Sequence, residues 1–426
     1  MATIKAFRAL RFDPKAGKLD VLTCPPYDII SESEREQLLK TSEHNIIRLE
    51  LPREGGDPYA QARLVLGEWL REGILAQDKI PGLYLYKETF DSAGGKKSVM
   101  GLACMVKLEE FEKGVVLPHE NTLSKAKTDR FNLMCATGCN FSGIYSIYSD
   151  AGNVIYPQLE KHVQGAPIME FSSPDGILHQ VWKIEDAGEI AKISALFENK
   201  KLYIADGHHR YETALNYRNH LRETKGAAER EADYVMMTLT HMEHPGLLVF
   251  PTHRVVHGLK NFDAEKLLGE CAKHFDLQSV PAKDLAGAME AAGESGKNVL
   301  GIILPGGAYL LSLRSGQVMK ELLKDASQAT QALDVSVLHT LVLERMLGID
   351  KENMAEQRNL FYTRSAEEAI AAVADGSANC AFLLNATKVE EIAAVAAAGE
   401  KMPQKSTYFY PKLITGHLMA RVFKPE

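Results

Sequence analysis

The densest chemistry in the sequence lies in Asp206-Gly207-His208-His209-Arg210. A short apolar run, Lys201 to Ala205, precedes these five residues, and the stretch Tyr211 to Arg222 follows them at helical spacing. The pattern predicts a strand, a turn and a helix. A strand running straight into a helix leaves the first helical amides unpaired and aimed at the turn. The macrodipole adds a partial positive charge there, so an anion binds readily. Gly207 lets the backbone approach a ligand without a Cβ in the way. His208, His209 and Arg210 supply donors suited to phosphate oxygens. Asp206, at or just before the N-cap, is placed either to cap the helix or to accept a proton from an attacking hydroxyl. Neighbouring side chains at a helix start point different ways, so two histidines and an arginine cannot all be buried in a core.

Two further clusters carry phosphate-type chemistry. His119-Glu120-Asn121-Thr122 is followed by Lys125, Lys127, Asp129 and Arg130. Phosphoryl transfer needs cations for the transferring oxygens and a carboxylate for Mg²⁺ or the nucleophile. Glu120 is of the right type for either carboxylate, and Lys127 and Arg130 for clamping a donor, with His119 and Thr122 beside them. The same stretch also reads as a solvated helix face with i,i+3 and i,i+4 charge pairs. Near the far end, Lys405-Ser406-Thr407-Tyr408-Phe409-Tyr410-Pro411-Lys412 combines cations and hydroxyls with a strand-forming core. A strand there would place Lys405, Ser406 and Thr407 in the site. No Gly-x-x-x-x-Gly-Lys-Ser/Thr and no Gly-x-Gly-x-x-Gly occurs, which counts against P-loop and Rossmann binding of nucleotides. His-Glu lacks the second histidine of a metalloprotease helix.

These clusters need elements to hold them. The chain has 426 residues, 45% of them hydrophobic and 25% charged, enough for two or three packed domains. Ile4 to Phe12 reads as a strand, Ser31 to Lys40 as a short helix capped by Ser31 or Ser33, and Tyr59 to Leu75 as a stronger helix. Leu83 to Phe90 and Ser98 to Leu108 form a predicted hairpin about Asp91 to Gly95, and a second hairpin flanks Ser173 to Gly176. From Leu259 alanine-rich helices, Leu333 to Leu347 among them, alternate with buried strands at Val299 to Leu304 and Cys380 to Leu384. The expected division is an N-terminal α/β region over 1–114, a phosphate-binding core over 115–258, and a C-terminal α/β domain over 259–426. The end segment 402–412 is expected to return to the active site.

A formal charge of −7 argues against a duplex-DNA binder, whose basic surface would displace counterions. Cys135 and Cys139 are spaced for one helix face, but without a second ligand pair they read as buried thiols. The dispersed cysteines, the absent secretory run and the absence of an apolar stretch of about 20 residues predict a cytoplasmic protein with no membrane partner.

Ile204-Ala205-Asp206-Gly207-His208-His209-Arg210-Tyr211 resembles the Asp-Gly-His-His-Arg signature of free serine kinases built on the ParB/sulfiredoxin-like fold. Over the whole chain, Ala205 to Ala214 together with Met402 to Lys412 resembles a large bacterial and archaeal family catalogued as a domain of unknown function, number ten-fifteen. The resemblance implies an α/β (α+β) fold with a ParB/sulfiredoxin-like core in the 115–258 region. It implies a kinase of free L-serine, with pyrophosphate, ADP or ATP as donor, in which Asp206 would serve the serine hydroxyl and His209 and Arg210 would hold phosphate. From the needs of phosphoryl transfer itself, Mg²⁺ is the expected metal, with Glu120 its partner and the reserve base. Gly207, His208, His119, Thr122, Lys127, Arg130, Lys405, Ser406, Thr407 and Lys412 complete the expected binding set. Two other readings of the same cradle are a phosphatase or phosphodiesterase, in which His208 or His209 attacks phosphorus, and a ParB-like nucleotide-dependent regulatory module.

Overall fold

The computed structural model describes residues 1–92, 94–120, 122, 124–226 and 230–423; Asn121 and the side chain of Lys125 lie outside them. The protein is a mixed α/β chain that divides into two compact units. The first comprises Met1–Pro118, Thr122–Leu248 and Pro411–Glu426, the second His119–Asn121 and Val249–Tyr410.

The first unit is built on a nine-stranded sheet. Its order is Val116–Leu117, Leu202–Asp206, Ile144–Tyr148, Tyr234–His241, Gly95–Lys107, Leu83–Ser92, Leu178–Ile184 and Met169–Ser172, with Ile4–Lys5 added along Gly95–Lys107. Regions expected as separate, 1–114 and 115–258, thus both give strands to one sheet. Leu202–Asp206 runs parallel to Val116–Leu117, and Tyr234–His241 runs parallel to Ile144–Tyr148. The remaining pairs are antiparallel. Tyr234–His241 is buried at every position, as a central strand covered on both faces must be. Both predicted hairpins form, the first with Ser92 paired to Gly95.

Ile4 to Phe12 is two short strands rather than one, because Leu10–Phe12 leaves the large sheet to pair with Leu75–Gln77. The helix Pro58–Arg71 starts where a cap and a proline coincide: Asp57 accepts from the amides of Tyr59 and Ala60, and Pro58 needs no donor there. Ala62, Leu66 and Trp69 bury one face against Leu10, Ile47, Leu49 and Leu133. Each leucine or isoleucine buried there stabilises the fold by about 1.5–3 kcal/mol. Ser31 caps Glu32–Thr41 through a reciprocal pair with Glu34.

The second unit carries a six-stranded antiparallel sheet in the order Phe275–Ser279, Gly307–Leu313, Val299–Leu304, Cys380–Leu384, His253–Val256 and Leu360–Thr363. Leu285, Met289, Ala369 and Val373 from two helices pack on it. The helix expected over Leu333 to Leu347 is a short α segment, Asp334–Ser336, running into a wider π-helix, Val337–Met346. Among the described residues no helix is long and apolar enough to cross a membrane.

Candidate functional site

The strand Leu202–Asp206 ends on Asp206, Gly207 turns with φ of 97°, and the 18-residue helix His208–Lys225 begins at once. Gly207 is the N-cap residue and no side chain caps this end. Asp206 therefore does not cap the helix, because its carboxylate is taken by two cations. Arg210 Nη2 donates to Oδ2 at 2.6 Å, and Lys412 Nζ donates to Oδ1. Lys412 stands 206 residues away in sequence and joins through the terminal segment of the same unit. The three side chains are only 11–14% exposed.

Gly207 has a second reason to lack a side chain. A Cβ there would meet the Arg210 guanidinium at 3.0 Å, so the glycine makes room for the arginine as well as for the positive φ. Arg210 Nη1 donates to Ser142 Oγ at 3.0 Å and to the Gly143 carbonyl at 2.6 Å. His208 is buried, and His209 is partly exposed.

Burial pushes the Asp206 carboxyl up, but the charges of Lys412 and Arg210 outweigh it and hold the group well below the usual carboxylate range. At rest Asp206 is a firmly ionised anchor for two cations and a weak proton acceptor.

Behind Arg210 the polar chain continues inward. Ser142 Oγ donates to Glu50 Oε1 at 3.3 Å, and Glu50 is 3% exposed. Arg130 lies 3.6 Å from that carboxylate, donates to the Glu50 carbonyl at 2.6 Å, and is held by Asp129 at 2.6 Å. The Tyr27 ring, from the Cys24-Pro-Pro-Tyr27 loop, lies 4.3 Å from the guanidinium carbon. Arg130 is thus a buried structural cation rather than part of a solvated helix face. Burial raises the proton affinity of Glu50, against the pull of Arg130 and Arg210. A cavity of about 40 Å³ lies among Glu50, Arg130, Ser142, Arg210 and Thr213. Among the described residues, Thr213 Oγ1 and Arg210 Nε, both buried, have no hydrogen-bond partner. That volume has room for a few water molecules, since one needs about 10–15 Å³.

Thr122 and Lys127 both reach Glu212 of the long helix, at 2.8 and 2.7 Å. They tie the helix Ser124–Thr137 to it. That helix ends before Cys139, which lies in the strand Cys139–Asn140, so Cys135 and Cys139 do not share a helix face. Among the described residues no three His, Cys, Asp or Glu side chains group as a metal site.

The remaining expected residues form a cluster of their own in the second unit. His119 Nε2 pairs with Thr407 Oγ1 at 2.9 Å, and the His119 carbonyl accepts from the Met402 amide at 2.7 Å. Glu120 bridges to Met402, Lys405 is exposed with φ of 56°, and the Ser406 hydroxyl is turned inward onto the Pro403 carbonyl. Sequence reasoning missed Glu50 and Ser142, which lie in segments with no motif of their own. It also missed Arg254, whose side chain donates to the Gln404 and Lys405 carbonyls.

The model of a family described as "Protein of unknown function (DUF1015)" matches residues 4–336. No curated protein matches the chain. Among solved structures, the chain is similar to a free serine kinase in complex with AMP, at 14% identity and a TM-score of 0.36, over 72% of this chain and 86% of that one. A conserved hypothetical protein from Pyrococcus furiosus is similar at 15% identity and 0.34, over 74% and 92%. SbnI from Staphylococcus aureus, with a C-terminal truncation, is similar at 10% identity and 0.35, over 74% and 86%.

Proposed function

The chain belongs to the DUF1015 family, and from the geometry about Asp206 we propose that it is a phosphotransferase acting on a small hydroxyl compound. Free L-serine is the proposed acceptor, and pyrophosphate, ADP or ATP the donor. The observation that carries this reading is the convergence of Arg210 and Lys412 on one carboxylate at the N-terminus of an 18-residue helix. Two cations and a helix start make an anion site whose charge is balanced at rest by Asp206.

A donor phosphate entering this site competes with Asp206 for Lys412. As the ammonium turns to a phosphate oxygen, the carboxylate loses a cation and its proton affinity rises toward that of a working base. The serine hydroxyl oxygen then forms its bond to phosphorus while its proton passes to Asp206. The donor's bridging P–O bond breaks and its electron pair leaves on the departing phosphate or nucleotide. His209, partly exposed at the helix start, is proposed to hold the transferring phosphoryl group with Gly207, His208 and Arg210.

The cluster of His119, Glu120, Lys405, Ser406 and Thr407 is proposed to hold the donor. Mg²⁺ is commonly bound by donor phosphates and one or two carboxylates, so Glu120 is proposed as its protein ligand. When bound, the ion would neutralise donor charge.

The test is incubation of the protein with Mg²⁺, L-serine and, separately, pyrophosphate, ADP and ATP, followed by phosphorus NMR. Phosphoserine formation with at least one donor is expected. No phosphoserine with any donor, together with hydrolysis of added phosphoserine, would replace this reading by a phosphatase.

A further inference from the structure

The second unit buries an arginine completely. Arg254, on the strand His253–Val256, is 0% exposed. Taking a guanidinium out of water is costly unless its donors are met. Here main-chain oxygens and an imidazole meet them. Nε donates to His339 Nε2 at 3.1 Å, Nη1 donates to the Thr252 carbonyl, and Nη2 donates to the carbonyls of Lys405 at 3.0 Å and Gln404 at 3.3 Å. The Tyr362 ring lies 5.2 Å from the guanidinium carbon. Because His339 Nε2 accepts, its proton sits on Nδ1 and the ring is neutral; burial and the nearby charge of Arg254 both hold it so. His339 itself belongs to the π-helix Val337–Met346, a form that recurs at functional sites.

The backbone that Arg254 grips is unusual. Lys405 holds a left-handed φ of 56°, which a side-chain-bearing residue adopts only when its surroundings impose it. Thr387 Oγ1 donates to the Ser406 carbonyl at 3.1 Å, and the next residue, Thr407, pairs with His119. The planar guanidinium sends donors in three directions at once, Nη2 to the two successive carbonyls, Nη1 to Thr252 and Nε to His339; a single lysine ammonium cannot reach all three.

We propose that Arg254, braced by His339, is the positioning residue that sets the Gln404–Thr407 turn and so fixes the His119–Thr407 pair for donor binding. The second half of this inference rests on the donor-binding role proposed above for that cluster. In this proposal Arg254, fully buried, acts only through the turn it holds.

Arg254→Lys and His339→Leu in the full chain test it, by hydrogen exchange and by titration with pyrophosphate and ADP in the presence of Mg²⁺. Arg254→Lys is expected to speed exchange of the 404–407 amides by roughly tenfold or more while the sheet strands keep their protection. The donor KM should rise roughly tenfold with kcat within about twofold, a split that general destabilisation does not give. His339→Leu should move both in the same direction by less, and carries the test alone where Arg254→Lys fails to fold. Unchanged exchange at 404–407 in the folded variants overturns the proposal, as does loosening spread evenly over the second unit. A loosened turn with unaltered donor affinity overturns the link to binding. A wild-type chain that binds no donor defeats the proposed function instead, and the exchange result still decides whether Arg254 sets the turn.

Discussion

At the scale of single residues, Asp206 carries the most weight. Replacing it by Asn removes the charge that balances Lys412 and Arg210, both largely buried. Breaking a buried pair typically costs about 3–5 kcal/mol, so Asp206→Asn should lower the denaturant midpoint as well as turnover. The expected loss of rate is about 10²–10⁴-fold, the usual worth of a general base. A variant with near-normal phosphoserine formation would move the proton acceptor to Glu120. Because its folded proton affinity is depressed, the contribution of Asp206 to stability is present above its ordinary value of 3.8 and is lost only as pH falls well below it.

Glu88 behaves in the opposite sense. It is 2% exposed, accepts from the Tyr86 hydroxyl at 2.9 Å and lies 3.6 Å from His179. Burial pushes its carboxyl up to about 8 from an ordinary 4.5. The folded state thus keeps a proton that the unfolded chain gives up, and stability should decline as pH rises from 4.5 to about 8. His179, held down to about 4 by burial, acts only on the acid side of its ordinary 6.5. Urea unfolding between pH 6.5 and 8 lies above the range of His179, and comparison with Glu88→Gln separates Glu88 from Glu50 and Asp334, whose proton affinities burial also raises. The wild-type decline there should flatten in Glu88→Gln, and an equal slope in both proteins would refute the assignment.

Among the elements, the strand–glycine–helix junction was legible because the residue pattern switches period at Asp206-Gly207. What could not be read was the fate of the Asp206 side chain. Local sequence offered a capping role, and a lysine brought in by the last strands overrode it. The end of the helix Ser124–Thr137 carried a usable signal: Gly138 takes a left-handed φ of 62° and stops the helix short of Cys139. The π-helix Val337–Met346 left no such mark, since its nearly continuous apolar run, Val337, Leu338, Leu341, Val342 and Leu343, reads equally well as a buried α-helix. Gly207→Ala tests the junction directly. It forces a Cβ onto a φ of 97° and into the Arg210 guanidinium. A loss of about 1–3 kcal/mol in stability is expected from the backbone alone. Calorimetry should also show weakened pyrophosphate binding, because Arg210 is displaced.

Over the whole molecule, most strands of the large sheet could be read from hydrophobic patterning, but only Val299–Leu304 and Cys380–Leu384 of the second sheet's six strands could, and the partition into units could not. Contacts between distant stretches decide it, and no local pattern records that 1–118, 122–248 and 411–426 pack as one body. The last of these stretches is no ornament. Leu413, Leu418, Met419, Ala420 and Val422 are buried, and Ala420–Arg421 pairs with Cys139–Asn140. A chain ended after Tyr410 should therefore lose the cooperative unfolding of the first unit along with Lys412. A truncated protein that still melts in one sharp transition would show the segment to be dispensable.

That connectivity has a consequence for how the protein is made. The first unit is left unfinished at Leu248 and completed only by residues that follow about 160 others. At ribosomal rates of ~5–20 residues per second, the gap is on the order of ten seconds or more. Throughout it the nascent chain carries Asp206 and Arg210 without Lys412, and a core still missing its final strand. Every translation product that stops early, anywhere in the second unit, thus emerges with the anion site unassembled and apolar surface on show to chaperones and proteases. A chain halted within the second unit is thus set apart from a completed first unit by the apolar surface that 411–426 would have covered.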